Sequence, residues 1–268
     1  MLLHYDISDV APYINWVYFY FAWQLKNQAE QQRMRHEAEQ LLASFQGKYR
    51  SHAVFTIFDA YSEGDDIVLS GGARIPLLRQ QQAGSEYLCL SDFIAPRSAE
   101  NQSFGYESQI GIFATTVDSG LESDFDADPY AKMMSQLLAD RLAEATAERM
   151  HEEVRKHYWG YARDERLTIS ELHQEHFQGI RPAVGYPSLP DTSLNFVIDQ
   201  VIDMKQIGIR LTENGAMRPH ASVSGLMLSH PKARYFSVGK IGADQLRDYA
   251  RRRSVPLEMA RKFLAANL

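Results

Sequence analysis

The chain has 268 residues, 45% of them hydrophobic and 23% charged, with 28 Lys and Arg against 34 Asp and Glu for a net charge of −6. That length and composition exclude a minidomain in need of staples and exclude wholesale disorder. The acidic balance removes any global attraction for phosphate backbones or anionic lipid, so no nucleic-acid or membrane partner is expected. In chain order, residues 1–9 show neither the basic region nor the apolar stretch of a signal peptide. Residues 12–45 carry the first helical pattern, opening on Ile14, Trp16, Phe19 and Trp23 with Pro12 at a first-turn position. Its most apolar part, residues 17–23, is far shorter than the roughly 18 apolar residues of a membrane span. Strand-like runs follow at 53–58, 67–69, 87–90 and 110–116, rich in β-branched or aromatic residues and bounded by Gly, Asp or Ser. Gln80, Gln81 and Gln82 read as a solvated turn.

The single cysteine, Cys89 in the run YLCL, excludes an internal disulfide framework and a multi-cysteine zinc site. It reads as a buried, inert thiol in a reducing compartment, most simply the cytoplasm. Residues 129–158 form the second helical pattern, with an apolar stripe of Met133, Leu137, Leu138, Leu142, Ala145 and Met150. Glu152 and Lys156 stand four apart on its outer face. Residues 222–228 and 235–238 read as a later strand pair across the His230-Pro231 turn, and 242–268 as two short helices broken near Ser254-Val255-Pro256. Strands and helices do not alternate regularly and no linker divides the chain. A single α+β domain over 1–268 is therefore expected, not a doubly wound parallel sheet.

Common phosphate cradles and nucleophile signatures are absent: no G-x-G-x-x-G, no G-x-x-x-x-G-K-[ST], no H-E-x-x-H and no G-x-S-x-G. Ser229 and Lys232 make an S-x-x-K spacing without its companion motifs. Glu171, His173, Glu175 and His176 invite a metal test, since His173 and His176 would share a helix face. Without a third ligand on a known scaffold, they read as a solvated helix end before Gly179. His176 also opens an H-x-x-G, but Gln174 stands where a corrin-ligand histidine needs an aspartate to orient it.

The most unusual text is RPAVGYPSLPD, residues 181–191, with three prolines and a glycine. Such a segment excludes helix and central strand and enforces an extended, pre-ordered backbone. Arg181 offers a bidentate fork suited to a carboxylate, Gly185 allows close approach to the main chain, and Tyr186 adds a flat ring with a polar tip. On this chemistry alone, a binding loop and a rigid structural loop are both open.

RPAVGYPSLPD, with LTENGAM (211–217), SVSGLMLSHPKARYFSVGKI (222–241) and DQLRDYARRR (244–253), closely resembles the activation domain of cobalamin-dependent methionine synthase. YINWVYFYFAW (13–23), GDDI (64–67), LCLSDFIAP (88–96), ADRLAEA (139–145) and VRKHYWGYA (154–162) fit that family in the same order. The resemblance implies a single C-shaped domain with a twisted antiparallel sheet flanked by helices, binding S-adenosylmethionine. It further implies repair chemistry: oxidised cobalt(II) cofactor on a cobalamin protein is returned to methylcobalamin by the sulfonium methyl and an electron from flavodoxin or an equivalent reductase. By resemblance, Arg181 clasps the ligand's carboxylate. Ala183, Gly185, Tyr186, Tyr235 and Phe236 line the pocket, Glu144 and Glu175 approach polar groups of the ligand, and Asn15 replaces a family aspartate that meets its ammonium. No side chain is assigned a proton-transfer role, since methyl transfer from a sulfonium to cobalt abstracts no proton.

The chain departs from the family at Asn15, at Asp191-Thr192-Ser193-Leu194-Asn195 where a His-Thr-Glu-Lys-like sequence is usual, and at Met227 and Leu228 where aromatics are common. The amide at position 15 implies weaker affinity than an acid there. None of the homocysteine, folate or cobalamin modules is in the chain, which implies action in trans on a separate cobalamin-binding methionine synthase protein, not an enzyme complete by itself. Arg247, Arg251, Arg252 and Arg253 fit either a docking patch for an acidic flavodoxin or a solvated helix end. Alternative readings are a diverged interaction module, a reactivator of another corrinoid methyltransferase, and a stand-alone methyltransferase, for which no general base or activated nucleophile is evident.

Overall fold

Both faces of the central strands are apolar, and covering both determines the architecture. The computed structural model describes residues 1–81, 86–97 and 108–268. Its strands are β1 (Leu2–Asp6), β2 (Arg50–Glu63), β3 (Asp66–Leu69), β4 (Arg74–Pro76), β5 (Ser108–Val117), the short pair β6 (Arg210–Leu211) and β7 (Met217–Arg218), and β8 (Ser222–Met227). One antiparallel sheet runs β4-β3-β2-β5-β8, with β1 beside the first residues of β2, while β6 and β7 pair separately. The fold is thus α+β, as expected from the irregular element order, with the antiparallel sheet that the family resemblance implied lying between helical layers. Ala53, Phe55, Phe113 and Met227 face the Pro129–Glu153 helix, whereas Val54, Ile112, Ala114 and Leu226 face the Leu194–Ile202 helix. Burying one such side chain as completely as Phe113 or Leu142, both 0% exposed, contributes roughly 1.5–3 kcal/mol.

The expected strands at 53–58, 67–69, 110–116 and 222–228 lie within β2, β3, β5 and at β8. The runs at 87–90 and 235–238 are not strands. Cys89 and Leu90 instead lead into a single turn, Leu90–Phe93, where the Cys89 amide donates to Asp92 Oδ2 at 2.8 Å. Cys89 is 0% exposed and burial pushes its thiol up to about 11, in keeping with an inert thiol. Residues 235–238 are tied to the proline-rich loop: Val238 N–H donates to Pro187 O at 2.9 Å and Ser188 Oγ to Phe236 O at 2.5 Å. β8 accordingly pairs with β5, not with 235–238.

The first helical pattern is broken. A turn at Ala11–Tyr13 precedes the Trp16–Ala22 helix, and a second helix, Gln28–Phe45, follows. Asn15 and Asn27 cause the breaks, each accepting a backbone N–H at a helix start, from Val17 at 3.2 Å and from Glu30 at 2.8 Å. The Pro129–Glu153 helix starts as expected, capped by Asp128 with Pro129 in its first turn, and runs on through a wide turn at Val154–Tyr158. Its buried stripe is centred on Met134, Leu138, Leu142, Ala145 and Met150; Met133 is 45% exposed, one residue off the expected face. The tail forms two helices, Ala243–Arg252 and Leu257–Phe263, on either side of the expected break.

Much of the expected basic patch in that tail is internal. Arg252 is paired with Asp66 and Asp248 and donates to Leu77 O at 2.9 Å; Arg253 donates to Ser193 Oγ at 2.8 Å beside Asp191. Asp191, 2% exposed, also accepts from Tyr249 Oη at 2.6 Å, so the tail helix is bonded to the end of the 181–191 segment. Gln80 and Gln81 are joints as well, since Gln80 Nε2 donates to Ser237 O and Gln81 Nε2 to Asp244. Gln82 lies outside the described residues.

Residues 180–184 cover the edge that β8 would otherwise expose. Ile180 and Leu228 exchange two main-chain hydrogen bonds of 2.9 Å, Leu226 N–H donates to Pro182 O at 3.0 Å, and Val184 N–H donates to Ser224 O at 2.9 Å. Pro182 fits at this edge because its carbonyl is used while its nitrogen need not donate. The approach requires glycine at 225, where a Cβ would stand 2.2 Å from Pro182 O and 2.9 Å from Ala183 Cα. Gly225→Ala is therefore expected to destabilise the protein by about 1–3 kcal/mol, read as a lower denaturation midpoint. An unchanged midpoint would contradict the packing.

A buried polar cluster holds the end of the long helix. Arg155, 0% exposed, donates to Glu165 Oε2 at 2.9 Å and Oε1 at 2.6 Å, and its guanidinium sits 4.2 Å from the centre of the Phe177 ring. Its Nη1 lies 2.8 Å from His151 Nδ1. A guanidinium only donates, so Nδ1 accepts and the imidazole is neutral. Burial, then Arg155 and Arg181, hold His151 well below the ordinary 6.5. The unfolded chain therefore binds the extra proton below about pH 6.5, and stability falls as pH falls through that value. In urea titrations at pH 7 and about pH 5, His151→Asn, whose amide oxygen can replace Nδ1, should flatten this dependence. An identical pH dependence in both proteins would rule out the assignment.

Candidate ligand-binding cleft

The edge segment, the long helix and the Trp16–Ala22 helix enclose a cleft of about 770 Å³. Three successive exposures of the Pro129–Glu153 helix supply Arg141, Glu144 and Glu148, spaced so that they share one face. The 181–188 segment brings Arg181, Ala183 and Tyr186, and the segment tied behind it brings Tyr235 and Phe236. Glu175 comes from the turn after the Ile169–His173 helix, and Asn15 and Tyr18 from the start of the Trp16–Ala22 helix.

Eight residues singled out from the sequence thus line one cleft: Asn15, Glu144, Glu175, Arg181, Ala183, Tyr186, Tyr235 and Phe236. Gly185 is not among the lining residues. A Cβ there would meet only Thr192 Cγ2, at 3.4 Å, so close approach is not its role; its φ of +89° lets the chain turn, with Gly185 N–H donating to Leu189 O at 2.8 Å. Close approach of the 181–183 backbone is admitted instead by Gly225. Asn15 already spends its side-chain oxygen on the Val17 amide.

Arg181 is gripped on several sides. Its backbone N–H donates to Tyr235 Oη at 2.9 Å, its guanidinium lies 6.0 Å from the centre of the buried Phe113 ring, and Nη2 donates to Glu148 Oε1. Sequence reading did not single out Glu148. The available signal was its position one helical turn beyond Glu144. Glu144 accepts from Arg141 at 2.8 and 3.3 Å and from Tyr186 Oη at 3.4 Å, while the Arg141 guanidinium sits 5.9 Å from the Tyr18 ring centre. Glu175 has a φ of +60°, a left-handed conformation uncommon outside glycine. Burial, then the neighbouring Glu148, raise its carboxyl above the ordinary range, against the opposing pull of Arg181.

The lining therefore presents three carboxylates, two guanidiniums and several rings to one concavity. Such a lining suits a ligand that joins an anionic carboxylate, cationic groups and a flat heterocycle. The histidine cluster is dispersed. The helix ends at His173, whose Nε2 is 3.0 Å from Tyr13 O, and Glu171 turns back to accept from Thr168 N and Oγ1 at 2.8 and 2.7 Å. Gly179 of the H-x-x-G packs on the end of β8, where a Cβ would lie 2.2 Å from Leu228 O. Among the described residues, no group of three or more His, Cys, Asp or Glu side chains is placed to hold a metal ion, and no helix is long and apolar enough to cross a membrane.

The family profile described as vitamin B12 dependent methionine synthase, activation domain, matches residues 6–254. A crystal structure of the MetH reactivation domain bound to AdoHcy is 36% identical, with a TM-score of 0.91 over 100% of this chain and 90% of that one. With the family match covering most of the chain and the fold shared from end to end, this chain belongs to the activation-domain family of vitamin B12-dependent methionine synthase.

Proposed function

We propose that the chain binds S-adenosylmethionine in this cleft and supports reductive methylation of cobalamin carried by a methionine synthase partner. The observation that carries the ligand reading is Arg181: a guanidinium whose side chain is only 13% exposed, with Nη1 buried and unpartnered among the described residues, on the wall of a cleft lined by carboxylates and rings. A carboxylate is the partner such a donor lacks. The related MetH domain binds AdoHcy, which keeps the amino-acid end and the nucleoside of S-adenosylmethionine and lacks only its methyl.

In this reading Arg181 holds the ligand's carboxylate, and Ala183 and Tyr186 supply a main-chain wall stiffened by prolines, with Gly185 turning the chain between them. Tyr186, Tyr235 and Phe236 offer ring faces, and Glu144, Glu175 and Asn15 meet polar groups. The carboxylate excess favours a cation, and an aromatic face adds roughly 0.5–2 kcal/mol for a cation over it. S-adenosylmethionine supplies an electrophilic methyl, and a flavodoxin-type reductase supplies the electron. The chain's own residues orient the ligand and raise its effective concentration at the partner; no proton needs to be moved. A reducing cytoplasmic setting accords with that electron donor and with the single buried thiol.

Calorimetric titration with S-adenosylmethionine tests the site. Charge-assisted hydrogen bonds are worth about 1.5–3 kcal/mol, so Arg181→Ala should weaken binding roughly 10–100-fold. Equal affinities would sink the assignment. For the reactivation step, the chain mixed with a cob(II)alamin-loaded partner, a reductant and S-adenosylmethionine should yield the absorbance of methylcobalamin, and no gain over a mixture without the chain would contradict the proposal.

A further inference from the structure

We infer that Glu148, not Asn15, receives the α-ammonium of the bound ligand, so that Arg181 and Glu148 together read a zwitterion. The inference rests on the proposed S-adenosylmethionine site. Glu148 is 17% exposed and meets Arg181 through a single prong, Oε1 to Nη2. The two remaining atoms, Glu148 Oε2 and Arg181 Nη1, are both buried and have no hydrogen-bond partner among the described residues. One is a bare acceptor carrying negative charge and the other a bare donor carrying positive charge. Leaving such groups unmade is costly, and a single ligand carrying both an ammonium and a carboxylate on one carbon satisfies both once the two side chains turn from their ion pair toward the cleft that both residues line.

That geometry also selects among the carboxylates. The ammonium and the carboxylate are bonded to the same carbon, so the ammonium's acceptor must stand beside the guanidinium that holds the carboxylate. Glu148 touches Arg181; Glu144 is engaged by Arg141 and Tyr186, and Glu175 makes no ion pair with Arg181. Asn15 has its oxygen committed to the start of the Trp16–Ala22 helix. The negative charge that the family's aspartate would bring at position 15 is supplied here from the long helix.

Three thioethers, each uncharged at sulfur, isolate the contact: S-adenosylhomocysteine, its deaminated analogue with the carboxylate kept, and 5′-methylthioadenosine, which lacks the amino-acid end. Calorimetry on wild type and Glu148→Gln should show S-adenosylhomocysteine weakened about tenfold by the substitution, the loss of one charge-assisted hydrogen bond. The same variant should bind the other two within twofold of wild type, which also shows that it is folded. Undiminished affinity of Glu148→Gln for S-adenosylhomocysteine would overturn the inference. An equal loss on the deaminated analogue would overturn it too, because Glu148 would then act only by holding the arginine. Either result with a binding wild type leaves the ligand reading standing, whereas a wild type that binds none of the three removes both.

Discussion

The cleft depends on one main-chain pairing, that of residues 180–184 with the free edge of β8. Four hydrogen bonds between backbone groups lay a proline-bearing segment along a strand, and Gly225 is what lets the two backbones come so close. From that line the chain turns at Gly185 and is then fastened from behind, by Ser188 to Phe236, by Pro187 to Val238, and at its end by Asp191 to Tyr249. An arginine at the start of this segment has its backbone fixed before its side chain makes any contact. Preorganisation of that kind lowers the ordering cost of gripping a ligand.

The opposite wall is equally constrained. The Pro129–Glu153 helix packs on the sheet face formed by Phe55, Phe113 and Met227, and its last buried turn is locked by Arg155, Glu165 and His151. Glu144 and Glu148 therefore face the arginine from a rigid rod, a turn apart. Carboxylates and guanidiniums set close in a half-buried cleft interact more strongly than they would in water. The result is a site whose charges are arranged by the core, with loops contributing little that is not itself pinned.

Much of this could be read from residues alone, and the misses have physical reasons. The α+β class and the long helix followed from periodicity and irregular element order, because strands buried on both faces show continuous apolar runs, whereas the antiparallel sheet followed from the family resemblance. β1 was not expected: Leu2 to Asp6 is short and exposed at every second place, and it is held by pairing with β2. The runs at 87–90 and 235–238 look like strands because they are apolar and aromatic, yet their backbone groups are satisfied by Asp92 and by the proline-rich loop. Asn15 and Asn27 broke a helix that hydrophobic pattern alone would continue. At the site, the loop's stiffness and the arginine stood out in composition, whereas Glu148 did not, since a glutamate on a helix announces nothing until the opposing arginine is placed. Arg252 and Arg253 mislead in the converse way: a run of like charges suggests a solvated face, and here its members are drawn inward by Asp66 and Asp191.

The physical claim common to the fold and the site is that a backbone-pinned arginine and a helix-borne carboxylate wall form a receptor for the amino-acid end of a sulfonium nucleotide. A crystal structure of the protein grown with S-adenosylmethionine examines that claim most directly. The expected outcome is the ligand in the cleft between the long helix and the 181–188 segment, its carboxylate on Arg181 and its ammonium on Glu148. A ligand bound elsewhere, or a cleft closed by its own side chains at saturating nucleotide, would contradict it.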